Sequence, residues 1–458
     1  MKNSDNKKDI SRRDFVNLSA KGVAGASLMP MIITSCSRVK GANDRISVAH
    51  IGVGDRGSGE LYGYFLPLKE ALNVAACDTY RGRRDKTAEK INAFYKQYES
   101  KEGICKAYLD MDELLERKDI DAVHITTPDH WHVPAAIKAA RAGKHVMVAK
   151  PLGLSIHQNR LLTNIMKENN LVFHYGTQQR SYDHMQLGYN LIREGAIGEI
   201  ERVDVWSPWD PGVQSPVCNE APVPEDFDFD RWTGPAPLRP YCPERVTNIS
   251  SWFNYDYSIG FLGGWGAHPL DILVWIIKDK VSGRYTCEGT GSKWPEGGLY
   301  NTVLNWDVTC RYDNGLVVHF VSEDYAQKCN MLDHRRIKEG DGTTFYGTKG
   351  WISLSRSTAE SNIPDIDQKL NNFPKSKDGW IQSENNTMGK RFIAAIQGKE
   401  QPLSPLDEAI ISDTISHMGD IAIRTGRKIT WDPSSDQCVG DEEANKLYTR
   451  EMRPPYTV

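Results

Sequence analysis

The feature that most constrains this chain is a glycine-rich turn that directly follows a short apolar segment. Residues 46–51 read ISVAHI, and Gly52, Gly54 and Gly57 then give the spacing G-x-G-x-x-G ahead of a helical stretch. In such a turn the first glycine allows a tight bend, the second lets the backbone approach a pyrophosphate, and the third lets the helix pack closely. The sequence therefore predicts a strand, a turn and a helix whose N-terminus binds the phosphates of a dinucleotide.

An acidic residue indicates which dinucleotide is bound. The segment ALNVAACD is a predicted second strand, and it ends on Asp78, about 20 residues after the last glycine of the turn. A carboxylate at this place accepts hydrogen bonds from a ribose 2′-hydroxyl and repels a 2′-phosphate. Arg81, Arg83 and Arg84 lie close by and favour a phosphate. Weighing the two, we predict NAD as the cofactor.

Strand and helix patterns continue to alternate after Asp78, which is typical of a doubly wound parallel sheet. Further strands are predicted in DAVHITTP, HVMVAKPL and VFHYGTQQR. Such sheets bind ligands at the carboxyl ends of their strands, so we expect residues 126–132, 149–151 and 176–180 to lie beside the nicotinamide. The predicted cofactor-binding residues are Gly52, Gly54, Asp55, Arg56, Gly57, Asp78, Thr127, Pro128, His130, His132, Lys150 and Gln178.

The N-terminus carries features of an export signal. Arg12 and Arg13 precede a weakly apolar, glycine- and alanine-rich run that ends in ITSC at Cys36. Paired arginines resemble the twin-arginine signal, which exports folded proteins, and ITSC resembles a lipoprotein cleavage site. We expect residues 1–36 to direct the protein to the periplasm as a lipoprotein that touches the membrane only through lipid on Cys36. An amphipathic N-terminal tail is the alternative.

Composition excludes several classes of protein. The 458 residues carry a net charge of -4 with a mean hydropathy of -0.52, and no basic patch indicates nucleic acid. Nine cysteines form no C-x-x-C pair, so neither a zinc site nor a disulfide scaffold is predicted. Cys218 and Cys242 can pair in an oxidising compartment, but we predict buried free thiols. His130 and His132 form an H-x-H pair, for which we predict no metal.

The run TPDHWHVPAAIKAARAGKHVMVAKPL resembles the Gfo/Idh/MocA oxidoreductases, whose members carry T-P-N-x-x-H, A-G-K-H-V and E-K-P. GGWGAHPLDILVW and GTKGWI extend the resemblance over almost the whole chain after the signal, to exported enzymes such as glucose-fructose oxidoreductase. It implies a Rossmann domain, residues 44–178, and a C-terminal α/β domain, residues 179–440, followed by a C-terminal segment, residues 441–458. The second domain would carry a large open antiparallel sheet that binds substrate and often mediates oligomers, so a homo-oligomer is expected.

Strand-like segments after residue 198 agree with that implied second domain. EIERVDVW is one such segment, and LNWDVTCRYDNGLVVHFV is a longer one. The longer segment is interrupted by Asn314 and Gly315, a dipeptide typical of a tight hairpin turn.

Oxidation of an alcohol needs a base or a proton relay at the hydroxyl. The resemblance implies that Lys150 contacts both the nicotinamide ribose and the substrate hydroxyl, and that His268 acts as the acid/base. This chain departs from the pattern at two places: Ala149 replaces a glutamate, and Gly264 stands where an aspartate is frequent. Asp271, one helical turn after His268, can orient the imidazole or bind hydroxyl groups.

Tryptophans indicate the class of substrate. Six of the 12 lie between Trp206 and Trp275, interleaved with polar residues, and flat rings suit the apolar faces of pyranoses. Core packing explains them equally well. Trp265, next to the histidine loop, is the expected sugar platform, and residues 223–246 are predicted to form a long ordered loop beside the pocket. The predicted substrate-binding residues are Lys150, Arg180, Asp183, Trp265, His268 and Asp271, with His184 as a further candidate.

Three functions compete. The first is an exported sugar or glycoside oxidoreductase that oxidises a ring hydroxyl, with C3 favoured, and whose tightly bound NAD is regenerated by a second sugar or an electron acceptor. The second is an NAD-dependent glycoside hydrolase, in which C3 oxidation acidifies the C2 proton, the aglycone is eliminated, water adds and the ketone is reduced again. The third is a non-catalytic sugar-binding lipoprotein.

Overall fold

A computed structural model describes residues 45–210, 212–372 and 387–458. The predicted signal, residues 1–36, lies outside the described residues, so it stays a prediction.

The first part of the described chain forms the predicted doubly wound sheet. Its strands are β1 (Ile46–Ile51), β2 (Ala71–Cys77), β3 (Lys106–Tyr108), β4 (Ala122–Ile125), β5 (His145–Ala149) and β6 (Phe173–Gly176). The helices between them are α1 (Asp55–Glu60), α2 (Arg81–Glu99), α3 (Met111–Leu115), α4 (Asp129–Arg141) and α5 (Ile156–Glu168), with a π-helical turn at Leu61–Phe65. All strand pairs are parallel, in the order β3-β2-β1-β4-β5-β6. The order reverses between β1 and β4, which opens a crevice at their carboxyl ends.

A second sheet occupies the rest of the chain. A 3-10 turn (Gln178–Ser181) and α6 (Asp183–Arg193) lead into it. Its strands are β7 (Ile200–Ser207), β8 (Tyr285–Lys293), β9 (Val303–Tyr312), β10 (Val317–Ser322), β11 (Gly342–Gly347), β12 (Gly350–Ser355), β13 (Ala359–Ser361), β14 (Ile429–Asp432) and β15 (Gln437–Cys438). Their order is β13-β12-β11-β7-β10-β9-β8-β14-β15. Only β7 and β10 pair in parallel among these described strands, so the predicted open, mostly antiparallel sheet is confirmed.

The predicted hairpin is confirmed as well. Asn314 and Gly315 join β9 to β10, and Gly315 has a φ of +88°, a conformation that favours glycine.

Further helices of the second half of the chain pack on the second sheet, beside the crevice or, for one of them, on the first sheet. They are α7 (Phe229–Thr233), α8 (Asn248–Phe253), α9 (Phe261–Gly264), α10 (Ala267–Val281), α11 (Glu323–Lys328), α12 (Pro364–Asn371), α13 (Met388–Ile396), α14 (Leu406–Thr425) and α15 (Glu442–Leu447). Buried residues of α10 and α14 share one hydrophobic core with the sheet. In the described part of the chain, no helix has the length and apolar character that a membrane crossing requires.

Helices from the second half of the chain pack against the first sheet. Met388, Phe392 and Ile393 of α13 share a buried cluster with Ile46 and Val48 of β1. The start of α14 packs similarly against the first sheet. Helices from the second half of the chain therefore complete the cover of the first sheet.

Cys218 and Cys242 form a disulfide, so the prediction of two free thiols is wrong. Their Cα atoms lie 5.7 Å apart, although 24 positions separate them in the sequence. Sequence spacing could not reveal this proximity, because the intervening segment is irregular and its path depends on tertiary packing. The described cysteines outside this bond are buried, except the exposed Cys329.

Candidate active site

A cavity of about 700 Å³ runs along the carboxyl ends of the first sheet and is closed by residues of the second half of the chain. Its volume lies within the range of small-molecule sites. The glycine turn and Asp78 line one part, and Lys150 and His268 line another. The strand ends and the inserted segments therefore build a single compartment.

The glycine turn is too crowded for side chains. Gly52 has a φ of +84°, and a Cβ there would approach the backbone of Thr126 to 2.7 Å. A Cβ at Gly57 would overlap the carbonyl oxygen of Gly52, which already accepts a 2.6 Å hydrogen bond from the Thr126 hydroxyl. The turn therefore leaves its backbone open to a ligand, as a pyrophosphate cradle requires.

Asp78 is fixed at the cavity wall by its own backbone neighbours. Its carboxylate accepts hydrogen bonds from the backbone N–H groups of Val53 and Tyr80, each at 2.9 Å. Burial raises the pKa of Asp78, while the two N–H groups and Arg83 act in the opposite direction. The carboxylate lies where a ribose would meet it, next to Arg83, which also lines the cavity.

Lys150 directly follows β5 and lies half-buried in the same cavity. Its Nζ donates a 2.9 Å hydrogen bond to the carbonyl oxygen of Gly264 and lies 5.3 Å from the ring centroid of Trp252. Burial lowers the pKa of Lys150 to about 8, and the negative charge of Asp129 opposes that shift. Gly264 stands where the family often has an aspartate, so Lys150 donates its hydrogen bond there to a backbone carbonyl and not to a carboxylate.

His268 lies in the first turn of α10 and lines the cavity together with Lys150. Its ring meets the ring of Trp265 edge-on at 5.5 Å, and its Nδ1 has no hydrogen-bond partner among the described residues. Burial, helped by the positive charges of Arg356 and Lys150, lowers the pKa of His268 well below its ordinary value. The imidazole is therefore neutral at physiological pH and able to accept a proton.

The two histidines of α4 have different surroundings. Nδ1 of His132 lies 2.7 Å from the carbonyl oxygen of Pro151, and Nε2 lies 2.8 Å from that of Thr127, so the ring links two cavity loops. His130 instead contacts the carbonyl oxygen of Trp232 at 2.9 Å through Nε2 and does not line the cavity.

The structure brings most of the predicted residues together. The predicted residues that line the cavity are Gly52, Gly54, Asp55, Arg56, Gly57, Asp78, Thr127, Pro128, His132, Lys150, Gln178, Trp265 and His268. The predicted residues outside its lining are His130, Arg180, Asp183 and Asp271, with the further candidate His184.

Arg180 and Asp271 form a buried ion pair beside the site. Nη2 of Arg180 lies 2.5 Å from Oδ1 of Asp271, and Nε lies 2.7 Å from Oδ2. The Thr177 hydroxyl donates to the same carboxylate at 2.6 Å, and Arg180 also pairs with Glu408. Asp271 thus joins α10 to the end of β6, and among the described residues its carboxylate forms hydrogen bonds with Thr177 and Arg180 rather than with His268.

Some cavity residues carried no sequence signal that singled them out. The guanidinium of Arg356, which follows β12, lies 4.5 Å from the ring centroid of Trp265. Trp252 belongs to the tryptophan-rich stretch but was not distinguished within it. Asp129 is the exception, because it occupies the asparagine position of T-P-N-x-x-H; it is buried and accepts a 2.7 Å hydrogen bond from Ser258.

Comparison with known families identifies the two halves. Residues 46–177 match the family model described as "Oxidoreductase family, NAD-binding Rossmann fold", and residues 209–458 match "Oxidoreductase family, C-terminal alpha/beta domain". The chain belongs to the Gfo/Idh/MocA oxidoreductases. As a Gfo/Idh/MocA protein it is an NAD(P)-dependent oxidoreductase with an NAD-binding Rossmann domain, which confirms the family, enzyme class and cofactor expected from the sequence.

Individual relatives agree with this family. The alpha-N-acetylgalactosaminidase of Shewanella oneidensis is 33% identical over 164 residues, which is 34% of this chain and 33% of that protein, so the match spans a third of the relative's length. The WlbA dehydrogenase from Bordetella pertussis, solved with NADH and UDP-GlcNAcA, has a TM-score of 0.60 at 16% identity, over 85% of this chain and 98% of that one. The aldose-aldose oxidoreductase from Caulobacter crescentus has a TM-score of 0.57 at 17% identity, over 84% and 99%. At these identities the two structures show the fold alone.

The cavity fits the family cofactor. The glycine turn offers bare backbone, Asp78 offers a fixed carboxylate, and the Thr127 hydroxyl oxygen is buried without a hydrogen-bond partner among the described residues. NAD would be held by these groups, with Lys150 and His268 toward its reactive end. Within the described ranges, no cluster of three histidine, cysteine, aspartate or glutamate side chains is arranged to hold a metal ion.

Proposed function

We propose that this protein oxidises a ring hydroxyl of a sugar or glycoside, with C3 favoured, using an NAD that it retains. One observation carries the proposal: a half-buried lysine and a neutral, buried histidine line the same cavity as the dinucleotide cradle. Removal of hydrogen from an alcohol needs such a base and such a positive charge at one oxygen.

The side chains divide the reaction between them. NAD, when bound, accepts the hydride that leaves the carbon. The imidazole of His268, which its lowered pKa keeps neutral, takes the hydroxyl proton. The ammonium of Lys150, oriented by its hydrogen bond to Gly264, stabilises the negative charge that develops on the oxygen. Hydride and proton therefore leave the alcohol by separate routes.

The shape of the cavity supports a carbohydrate. Trp252 and Trp265 line it close to Lys150 and His268 and offer flat apolar surfaces. Arg356, which lies over the Trp265 ring, adds donors of the kind that hydroxyl groups accept. The carbohydrate names of similar proteins support the same class of substrate.

Hydrolysis of a glycoside through transient oxidation is the second candidate. The name of the Shewanella oneidensis relative favours it, since that protein is an alpha-N-acetylgalactosaminidase. The first step is the same: oxidation at C3 acidifies the proton at C2, the aglycone then leaves, water adds and the ketone is reduced again. This candidate needs no external acceptor, because the hydride returns to the sugar.

Export belongs to the proposal too. We propose, from the twin-arginine and lipoprotein features of residues 1–36, that the protein is exported to the periplasm and held there by lipid on Cys36. The Cys218–Cys242 bond supports an oxidising compartment. A retained NAD would then be regenerated in place, by a second sugar or an electron acceptor. A non-catalytic sugar-binding role is disfavoured because Lys150 and His268 share the cavity, and the homo-oligomeric state stays a prediction.

A panel of aryl glycosides tests the proposal. The dehydrogenase produces a keto-glycoside, whose carbonyl carbon NMR locates, and the hydrolase releases a phenol and an unmodified sugar. The matched controls are His268→Ala, which should abolish either product, and His319→Ala, which alters a partly exposed histidine of β10 bonded to Asp307 and should not. If no glycoside in the panel changes while NAD is bound, the proposal fails.

A further inference from the structure

A short segment crosses the part of the cavity that contains Asp78. We call residues 226–234, which include α7, the strap. At its start, the backbone N–H of Arg81 donates to the carbonyl of Asp226 at 2.8 Å, and that of Asp228 donates to the carbonyl of Thr79 at 3.1 Å. Between these bonds the rings of Tyr80 and Phe227 stack with centroids 3.9 Å apart. The strap is thus paired with the loop that follows β2.

The other end of the strap is attached to α4, which follows β4. Nε1 of Trp131 donates to the carbonyl of Arg231 at 3.0 Å, and His130 contacts the carbonyl of Trp232. Gly234 lies so close to the Trp131 indole that a Cβ there would overlap it. Because one end is bonded beside β2 and the other beside β4, the strap spans the crevice between them, and its residues Arg231 and Trp232 line the cavity.

The C-terminal residues fasten the strap from outside. We call residues 453–458 the tail. Arg453 donates to the Asp230 carboxylate at 2.7 Å, to the Asp230 carbonyl at 2.9 Å and to the Gly234 carbonyl at 3.1 Å. The Tyr456 hydroxyl donates to the other carboxylate oxygen of Asp230 at 2.5 Å, and its ring meets Trp131 edge-on at 5.7 Å. Tyr456 and Pro455 also line the cavity, so the tail is part of its wall.

This end of the cavity would receive the adenosine half of a bound dinucleotide. Asp78 marks the ribose position, and Leu109 and Met111, at the end of β3, line the wall beside it. Lys150 and His268 lie at the opposite, nicotinamide end. The strap and the tail therefore enclose the half of NAD that takes no part in the chemistry.

We propose that the strap and the tail hold the adenosine half of NAD and make its dissociation slow. The dinucleotide leaves only after the strap has come away from the β2 loop or from α4. The tail opposes that movement through Asp230, which three donor groups of Arg453 and Tyr456 hold. The inference rests on the retained NAD of the proposed function, and it requires no reaction with a sugar.

The test follows labelled NAD leaving the holoprotein. The protein is loaded with radiolabelled NAD, chased with excess unlabelled NAD, and sampled by filtration. Arg453→Met and Tyr456→Phe each remove donors to Asp230 and should speed release by about 3- to 10-fold, as expected for the loss of ordinary, solvent-exposed hydrogen bonds. Arg427→Met breaks a comparable two-bond ion pair with Asp441 away from the cavity and should release NAD at the parental rate.

A chain ending at Met452 gives the stronger result. Without the tail, we expect release to be faster than in either single variant. If this chain does not fold, as judged by circular dichroism, the two single variants decide the question. Release within two-fold of the parent in the folded variants would overturn the inference, as would release that Arg427→Met speeds equally. Because nucleotide alone is measured, a protein that retains NAD but oxidises no sugar would contradict the proposed function and leave this inference intact.

Discussion

At the residue scale, burial sets the protonation of the two side chains nearest the reaction. Transfer from water disfavours the charged form of both, so the pKa of His268 lies well below its ordinary value and that of Lys150 falls to about 8. Asp129 limits the shift of Lys150. Near neutral pH the site therefore combines a neutral imidazole with a lysine that is still mostly charged.

Removing the base should slow the chemical step and spare the cofactor. We expect His268→Ala to reduce single-turnover reduction of bound NAD by about 10²- to 10⁴-fold, because general-base assistance acts in the transition state. The NAD content of the purified variant should match the parent. Lys150→Met should lower both the rate and the cofactor placement, and the double variant should be little worse than the poorer single one. A parental rate for His268→Ala would place the base elsewhere.

The pH dependence of hydride transfer should show the protonation state in which Lys150 acts. Its ammonium is present below about pH 8 and is lost as the pH rises through that value, so the rate should fall on the alkaline side. His268 remains unprotonated well below its ordinary pKa, so the rate should hold on the acid side. Single-turnover rates across pH measure both limbs. A rate that rises through pH 8 would show that neutral lysine is the reactive form.

Gly264→Asp offers an independent check that Lys150 causes the fall in rate on the alkaline side of the pH profile. Apart from its chain neighbours and its own helix backbone, no atom of the described residues lies within 4 Å of a Cβ built at Gly264, so a side chain fits there beside the Lys150 ammonium. The added carboxylate should raise the pKa of Lys150 and move the alkaline limb upward. Gly264→Asn, which adds no charge, is the control and should leave the limb in place.

The motif residues were predictable because their chemistry requires particular atoms at strand ends. Lys150, after β5, and His268, in α10, were expected from the resemblance of their motifs to the family, and the structure places both in one cavity. Arg356 was not predictable, since a single arginine after β12 carries no local pattern and reaches Trp265 only through the fold of the second sheet.

At the scale of elements, the position of α10 depends on a buried ion pair rather than on substrate. Asp271 joins α10 to Thr177 and Arg180, which follow β6. Helical periodicity correctly placed Asp271 one turn from His268, but it could not show which neighbour the carboxylate would meet. Arg180 is likewise fully buried by this pairing, so its charge serves the junction between the two halves of the chain.

Breaking that pair should destabilise the fold. Asp271→Ala leaves Arg180 buried without its main partner, which typically costs about 3–5 kcal/mol of unfolding free energy. Urea unfolding of parent and variant measures the difference. Asp407→Ala, which removes the partly exposed partner of Lys278 on the outside of the same helices, should cost less than about 1 kcal/mol. Equal losses in the two variants would contradict a positioning role for the buried pair.

The disulfide should stabilise the inserted segment that carries the strap. Its two cysteines are 24 positions apart, and closing a loop of that length limits the unfolded chain by about 3 kcal/mol. We expect the Cys218→Ser, Cys242→Ser double variant to lose stability of that order in urea unfolding. Cys329→Ser, which changes an exposed free cysteine, is the control and should lie within about 0.5 kcal/mol of the parent.

At the scale of the whole molecule, the active site is assembled from distant parts of the chain. The Rossmann sheet supplies the cradle, α10 supplies His268, and the strap and tail close the adenosine end. The sheet and its carboxyl edge were predictable, because alternating strands and helices follow from local periodicity. The covering by Tyr456 and by α13 was not, because residues near the C-terminus carry no local sign that they return to the first sheet.

The measurement that most directly tests hydride transfer from a sugar to bound NAD uses glycosides deuterated at C3. The holoprotein is mixed with each glycoside, and the reaction is quenched with acid-free denaturant within one turnover. The mass of the released nucleotide is then measured by mass spectrometry. Both the dehydrogenase and the hydrolase pass through the same first step, so either should yield reduced nucleotide one deuterium heavier, in the parent and not in His268→Ala. Reduced nucleotide without deuterium would contradict oxidation at C3, and nucleotide that stays oxidised with every glycoside would contradict the proposed function itself.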